Sequence, residues 1–304
     1  MLSIIIVSYN TKKLLYQCLS SLFAREYPIP IETIVVDNDS QDGSAAMVRE
    51  TFTKVRLIEN KENVGFSRAN NMGLEIARGD YILLLNSDTK VLGDALTNLV
   101  TFLDMHPDVA VVSGRIVYPD FSDQGVARTF PTPLNAFFGR TTLLNRLFPN
   151  NRFSRKYLLS RMHTSNTPFE VDWVSGACLM VRKKVLEEVG LLDEKFFMYW
   201  EDADLCFRIK HKGWRIFCTP EAKVIHYEGK STNRKSSNRL IIEFNKSAYR
   251  FYRKHYLRSS FEIMNFVAIF GLAFRALVMI GINMIREKEG SHNGKDAVAG
   301  SIDI

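Results

Sequence analysis

The sequence predicts an α/β protein built on a doubly wound, mostly parallel β-sheet flanked by helices. Between residues 2 and 113, short apolar runs alternate with stretches whose apolar residues recur at helical spacing, the order expected of a parallel sheet with crossover helices. Three of the apolar runs end in polar clusters, Ser8-Tyr9-Asn10, Asp37–Asp42 and Asn86–Asp88. In such sheets ligands bind beyond the carboxyl ends of the strands, so the three placements agree on one site.

In chain order, Ser3–Ser8 is a continuous apolar run suited to a buried parallel strand. Thr11–Arg25 carries Leu14, Leu15, Leu19, Leu22 and Phe23 at helical spacing, and Pro28 stops it. Glu32–Val36 is the second strand, Ala45–Thr53 a helix, Val55–Ile58 a short strand and Ser67–Arg78 a helix closed by Gly79. Tyr81–Leu85 is a strand, Gly93–Met105 a helix stopped by His106-Pro107, and Val109–Ser113 a further strand. Asp120–Pro168 shows no clean strand pattern and reads as a helical insertion or a flap over the site. Regular patterning resumes with the strand Val171–Val181, the helix Lys183–Val189 ending at Gly190, the helical run Asp202–Lys212 and the strand Lys223–Ile225.

Composition bounds the function. The 304 residues, 46% hydrophobic, fill one large or two modest domains. The four cysteines (Cys18, Cys178, Cys206, Cys218) have no CxxC or zinc spacing and read as reduced and mostly buried. Met1–Val7 has neither a basic n-region nor a cleavage site and reads as a first strand, not a signal peptide. Of the net charge of +7, the segment Lys230–Arg258 carries nine Lys/Arg against Glu243 alone, so the remainder is nearly neutral. Charge so localised points to an anionic partner surface. Residues 261–285 follow, apolar and long enough to span a bilayer, with Arg275 near the middle. At 100° per residue, Glu262, Asn265, Arg275, Asn283 and Arg286 fall within about 140°. That favours a helix lying in the membrane interface, apolar face down, over a true span or a buried helix, and a lipid headgroup layer over nucleic acid. The expected organisation is a first domain over 1–235 (nucleotide-binding half 1–115, insertion 116–170, acceptor and catalytic half 171–235), a basic and amphipathic helical region over 236–289, and a disordered tail over 290–304.

Two acidic clusters carry chemistry. Asp88, after an apolar strand and a turn, can reach a hard cation; Mg²⁺ or Mn²⁺ bridges nucleotide phosphates. The more common Asp-x-Asp pair is here Asn86-Ser87-Asp88, so one carboxylate remains and a helper is needed, for which His226 is the candidate. Taken singly, Asp88 also reads as a turn or cap and His226 as structural. Glu201-Asp202 opens a helical run, where acids also serve as dipole partners; the functional reading is a carboxylate that takes a proton from an acceptor hydroxyl. Trp200 and Tyr199 beside it can stack on a sugar ring. Asp37 and Asn38 close the second strand and can meet a pyrimidine edge or ribose, or simply make an Asx turn. Arg68 lies in the first turn of a helix whose start favours phosphate.

The runs Ser3–Asn10, Val36–Ser44 and Asn63–Gly73 resemble the nucleotide-binding half of glycosyltransferase family 2, the inverting enzymes of GT-A fold. Trp173–Val181, Phe196–Arg208, Gly213-Trp214 and His226–Ser231 resemble its rhamnosyltransferase branch, and the likeness covers roughly residues 2–235. The resemblance implies roles for individual residues. Asp88 matches the metal-binding aspartate of the family's DxD-like motif, Asn86 replaces its first acid, and His226 matches the histidine completing the metal site. Asp202 matches the catalytic base of the ED motif. Asp37 and Asn38 match the positions that meet the base, where many relatives have a second acid in place of Asn38. Ser8, Arg68, Asn71, Asn86 and Ser87 fall with the donor, and Gly176, Trp200 and Glu201 with the acceptor.

The implied activity is a metal-dependent, inverting transfer of a sugar, L-rhamnose from dTDP-rhamnose or a hexose from a UDP-sugar, to a lipid-linked saccharide of a cell-surface glycan such as O-antigen. The implied place is the cytoplasmic face of a bacterial inner membrane; self-association stays open. A non-catalytic nucleotide-sugar-binding membrane module is the alternative. A nucleotidyltransferase fits less well, because Ser8-Tyr9-Asn10-Thr11-Lys12 is no Gly-rich phosphate loop.

Overall fold

The computed structural model describes residues 1–125, 127–130, 167–227, 237–257 and 263–299, without the side chains of 237, 264 and 285–299. The chain forms two compact units, one of residues 1–197 and 201–231, the other of residues 198–200 and 232–304.

The first unit is a helix-flanked sheet. Its strands are β1 (Leu2–Ser8), β2 (Ile31–Asp37), β3 (Arg56–Glu59), β4 (Tyr81–Asn86), β5 (Thr89–Leu92), β6 (Val109–Val117), β7 (Phe169–Glu170), β8 (Cys178–Arg182) and β9 (Arg215–His226). They lie in the order β3-β2-β1-β4-β8-β6-β9-β5, with β7 beside β9. Its helices are α1 (Lys12–Phe23), α2 (Ser44–Thr51), α3 (Phe66–Ile76), α4 (Ala95–Met105), α5 (Lys183–Val189) and α6 (Glu201–His211). All seven residues of β1 are buried, which explains an apolar run without alternation: the central strand faces core on both sides. Each of the fully buried Ile4, Ile5 and Ile6 contributes about 1.5–3 kcal/mol on leaving water. In α1 the buried residues are Leu15, Cys18, Leu19 and Leu22, one stripe at helical spacing. All four cysteines are free and buried.

Parallel pairing dominates one side of the sheet and recurs on the other. Strands β3-β2-β1-β4 are all parallel and β6 is parallel to β9, whereas β8 runs antiparallel to both β4 and β6, and β5 and β7 antiparallel to β9. Of the run Val171–Val181, expected as one strand, the part before Cys178 is largely loop, with an isolated bridge of Trp173 to Arg128, and the strand itself is Cys178–Arg182. The four-residue β5 was not foreseen, and β9 spans twelve residues where only Lys223–Ile225 was expected. The insertion expected over 116–170 falls mostly on residue 126 and residues 131–166, outside the described residues, as do residues 228–231 of the later motif.

The second unit is helical. Helices α7 (Ser237–His255) and α8 (Ile263–Ala299) run antiparallel, tied by Tyr249 Oη donating to Asn265 Oδ1 (2.9 Å), an Arg275 guanidinium N–H to Asn245 Oδ1 (2.8 Å) and Asn283 Nδ2 to Asn238 Oδ1 (2.8 Å). Arg275 also lies over the Phe244 ring, 4.9 Å from its centroid. Of the polar stripe of α8, expected to face water, Asn265, Arg275 and Asn283 are turned to α7, whose Tyr249, Asn245 and Asn238 supply their hydrogen-bond partners. The outward side is apolar: Phe270, Phe274 and Leu277 are each about 70% exposed. Asn265–Met284 is long and apolar enough to cross a membrane. The helix continues to Ala299, past Gly290, where the composition predicts a disordered tail; extending a formed helix costs little per residue even through glycine. Residues 198–200 join this unit: Ser247 Oγ donates to the Met198 carbonyl (3.0 Å), Tyr199 packs on Phe244, and Trp200 on Phe244 and Phe251. Trp200 is thus packed among α7 rings, which lends no support to its stacking on a sugar. Tyr199 and Trp200 take left-handed backbone angles (φ 69° and 72°), strain that large side chains hold only when their surroundings enforce it.

Candidate active site

The first cluster sits where the parallel strands end. Register places Ser8 beside Asp37, Val7 beside Asn86 and Asp37 beside Glu59. Asp37 makes the Asx turn that its sequence suggests, Oδ1 accepting from the Ser40 N–H (2.9 Å), yet its Oδ2 is buried with no hydrogen-bond partner in the chain. Burial pushes this carboxyl up despite the Ser40 bonds, with Asp42 and Glu59 adding to the rise. Asn86 Oδ1 and Ser67 Oγ, at the end of β4 and in the first turn of α3, are likewise buried without partners. Orphaned polar atoms are rare in folded proteins, and two of these three lie on residues that end parallel strands, where such sheets take polar ligands. Ser67 was not singled out in the sequence, since a helix-start serine normally reads as a cap. Arg68, next to it, is exposed.

Several residues expected at the donor are spent on the fold. Asn38 Oδ1 accepts from Asn60 Nδ2 (3.0 Å) and the Val64 N–H (3.1 Å), while its Nδ2 donates to Asn63 Oδ1 (2.8 Å) and the Gly65 carbonyl (3.3 Å). Both lone pairs are used, so Asn38 shapes the loop into α3 instead of meeting a base. Asn71 bridges to the chain after α5, donating to the Leu192 carbonyl (2.9 Å) and Glu194 Oε1 (3.1 Å) and accepting from the Leu192 N–H (3.1 Å). Ser8 is fully buried, and its hydroxyl joins Thr11 Oγ1, which donates to Ser87 Oγ, each at 3.0 Å. These hydroxyls pin β1, α1 and the β4 turn together beneath the site. The loop into α3 requires Gly65: at φ +91° a Cβ would lie 2.7 Å from the Phe197 ring and 2.8 Å from its carbonyl oxygen.

The second cluster joins distant residues through strand pairing. The β5–β9 register sets Thr89 opposite His226, which brings Asp88 Oδ1 within 3.1 Å of His226 Nε2. The Tyr227 N–H donates to the Asp88 carbonyl (2.9 Å), fixing the turn. Both side chains are largely buried. One carboxylate oxygen and one imidazole nitrogen suit Mg²⁺ or Mn²⁺ with donor phosphates completing the shell, so the residues fit the expected ion. Among the described residues no group of three or more His, Cys, Asp or Glu forms a cation cluster. On its far side His226 meets Gln124, a residue that sequence reading missed because it lies in the patternless stretch after β6.

The third cluster opens α6. Asp202 Oδ2 accepts from the Gly176 N–H (3.0 Å) and Oδ1 from the Ala203 N–H (2.7 Å). One residue on, the Ala177 carbonyl accepts from the Asn86 N–H (3.2 Å), so the Gly176–Ala177 step bridges the end of β4 to the start of α6. Gly176 therefore serves by its backbone, holding Asp202. Burial pushes the Asp202 carboxyl up; the Gly176 and Ala203 N–H groups and Arg128 oppose this. Glu201 is buried, its Oε2 has no hydrogen-bond partner in the chain, and burial followed by the Asp202 charge pushes its carboxyl well up. Of the two, Glu201 is pushed up further, because Asp202 has backbone donors on both oxygens while Glu201 Oε2 has none in the chain. Asp204 is structural, accepting from Arg208 Nε (2.9 Å), whose guanidinium clamps the Val189–Leu191 carbonyls.

Comparisons with known proteins bear on this geometry. Residues 3–190 match the family model described as glycosyl transferase family 2. The chain is 30% identical over 262 residues to N-acetylglucosaminyl-diphospho-decaprenol L-rhamnosyltransferase of Mycobacterium tuberculosis, covering 82% of this chain and 83% of that protein. Among solved structures, a mannosyltransferase from Pyrobaculum calidifontis in complex with GDP-Man and Mn²⁺ aligns with a TM-score of 0.57 at 19% identity, over 96% of this chain and 79% of that one. GalNAc-T7 with UDP, GalNAc and Mn²⁺ aligns with a TM-score of 0.62 at 16% identity, over 83% of this chain and 47% of that one. The two structures establish a shared GT-A fold. The sheet ending in Asp37, Asn86 and Asp88, the matched model and the rhamnosyltransferase relative agree, and the chain belongs to glycosyltransferase family 2.

Proposed function

We propose that this glycosyltransferase moves L-rhamnose, from a dTDP-linked donor, onto a lipid-linked saccharide with inversion at the anomeric carbon and with dependence on a divalent cation. The observation that carries the reading is the bridge from Asn86 through Gly176–Ala177 to Asp202, which sets a base carboxylate beside the strand end where Asp37 and Asp88 lie. The relative's name supports the sugar and the polyprenyl-diphosphate class of acceptor.

Asp37 Oδ2 receives the nucleoside, and Asn86 Oδ1 and Ser67 Oγ face the donor. Asp88 and His226 would hold the cation, which when bound supplies positive charge to the leaving diphosphate. Asp202 accepts the proton of the acceptor hydroxyl as that oxygen attacks the anomeric carbon, and the carbon–phosphate oxygen bond breaks with the electron pair leaving on the nucleoside diphosphate. The neutral Glu201 beside it adds no second charge and is a donor for an acceptor oxygen. The Lys/Arg-rich α7 and the apolar outer side of α8 support attachment to an anionic membrane, the cytoplasmic face of a bacterial inner membrane for a donor of this kind.

Calorimetry with a panel of nucleotide sugars, in Mn²⁺ or Mg²⁺ and in EDTA, tests this. Metal-dependent binding of dTDP-rhamnose, weakened in Asp88→Ala, is expected. Preference for a UDP-sugar would replace the donor, and equal binding in EDTA would overturn the metal role.

A further inference from the structure

We infer that Gln124 is a positioning residue of the cation site: it fixes His226 as the Nδ1–H tautomer and so turns the Nε2 lone pair toward the place beside Asp88 that a divalent ion takes. The inference rests on the reading of Asp88 and His226 as cation ligands.

A glutamine amide has one donating and one accepting end, and its partners decide which is which. Gln124 Nε2 lies 2.7 Å from the His226 carbonyl oxygen and 3.4 Å from the Val117 carbonyl oxygen, and neither of these can donate. The amide oxygen is therefore the end turned to His226, 2.9 Å from Nδ1. An amide oxygen only accepts, so Nδ1 carries the hydrogen. Nε2 is then the nitrogen turned to Asp88 Oδ1, 3.1 Å away, and its lone pair is the one a divalent ion would take in place of a proton shared with that carboxylate. Gln124 is itself held, 1% exposed, with its own N–H donating to the Ile116 carbonyl at 3.1 Å. No solvent competes for its amide, and one side chain grips both the ring and the backbone of the same histidine. Metal-binding histidines generally need such an outer partner to set ring orientation. Here the partner is neutral. The ring is oriented without adding negative charge to a site that has Asn86 where an acid is usual.

Two measurements on the whole protein test this. In the ¹⁵N-histidine-labelled, cation-free chain, the ring correlations of His226 (assigned by their loss in His226→Ala) are expected to show a hydrogen on Nδ1, whether or not Nε2 also carries one toward Asp88; an Nδ1 without hydrogen overturns the inference, whether or not any variant folds. Second, Mn²⁺ affinity is read by electron paramagnetic resonance with dTDP or UDP present. Gln124→Leu, similar in size but unable to accept, is expected to weaken it about 10–100-fold, and Gln124→Glu, which still accepts from Nδ1–H, to restore most of it. A folded Gln124→Leu that binds as the wild type overturns the role of Gln124 alone. Unchanged Mn²⁺ binding in His226→Ala overturns the cation-site reading beneath it.

Discussion

Asp202→Asn separates catalysis from folding at the centre of the proposed mechanism. The substitution preserves shape but removes the basic oxygen. Loss of a general base costs about 10²–10⁴ in rate, or about 2.7–5.5 kcal/mol of barrier. The effect on stability is smaller because opposing contributions meet. Asparagine has one acceptor oxygen where Asp202 uses two, so one of the Gly176 and Ala203 N–H groups faces an amide NH₂, a cost of about 1–3 kcal/mol. Against this, a carboxylate that burial disfavours, beside Glu201 and Asp204, is neutralised. The residual is within about 2 kcal/mol, a melting shift of a few degrees for a unit of this size. Thermal denaturation, nucleotide-sugar binding and single-turnover transfer to a saccharide diphosphate lipid should therefore part company: fold and binding retained, transfer nearly abolished. A folded Asp202→Asn protein that transfers within a few-fold of wild type would refute the assignment of the base.

Further outcomes follow from the same geometry. Glu201, raised well above its ordinary value of 4.5, keeps a proton when folded that the unfolded chain releases, so wild-type stability falls as pH rises above that value and levels off above the folded pKa. Glu201→Gln removes this titration, and its stability relative to wild type should climb as the pH rises above 4.5 in denaturant melts, a pH-independent difference counting against a raised Glu201. Asn71→Ala breaks three hydrogen bonds to the chain at Leu192 and Glu194 and should cost about 2–4 kcal/mol in urea unfolding, while the folded fraction binds nucleotide unchanged. Converting Phe270, Phe274 and Leu277 together to aspartate removes three apolar side chains from the outer side of α8, about 4.5–9 kcal/mol if hydrocarbon buries them. Flotation with anionic vesicles should be lost, and co-flotation equal to wild type would exclude that side as the membrane contact.

The parallel half of the sheet was legible because a buried central strand writes its burial into an unbroken apolar run, and the polar residues at its end then mark the site. Asp37, Asn86 and Asp88 were singled out in this way, and the structure places all three at or just beyond strand ends. The amides were misread for an equally physical reason. Nothing local in Asn38 or Asn71 tells whether its hydrogen bonds go to a ligand or to Val64 and Leu192, since those partners come from other segments. The apolar length of α8 was visible, but the facing of its polar stripe was not, because Asn238, Asn245 and Tyr249 lie on another helix. The cation site shows how far single-residue reading reaches. Asp88 and His226 each carried a bland reading as well as a functional one, and what unites them is the register of β5, four residues too short to declare itself. The same register explains how one carboxylate can suffice. On the proposed reading of Asp88 and His226 as cation ligands, with Asn86 in place of an acid, pre-set geometry would offset the missing charge: the Asp88 carbonyl accepts from the Tyr227 N–H, and His226 Nδ1 lies 2.9 Å from the Gln124 amide oxygen. Restoring the acid by Asn86→Asp should then strengthen Mn²⁺ binding most in the Gln124→Leu background, where geometry has been given up and charge is the remaining source of affinity.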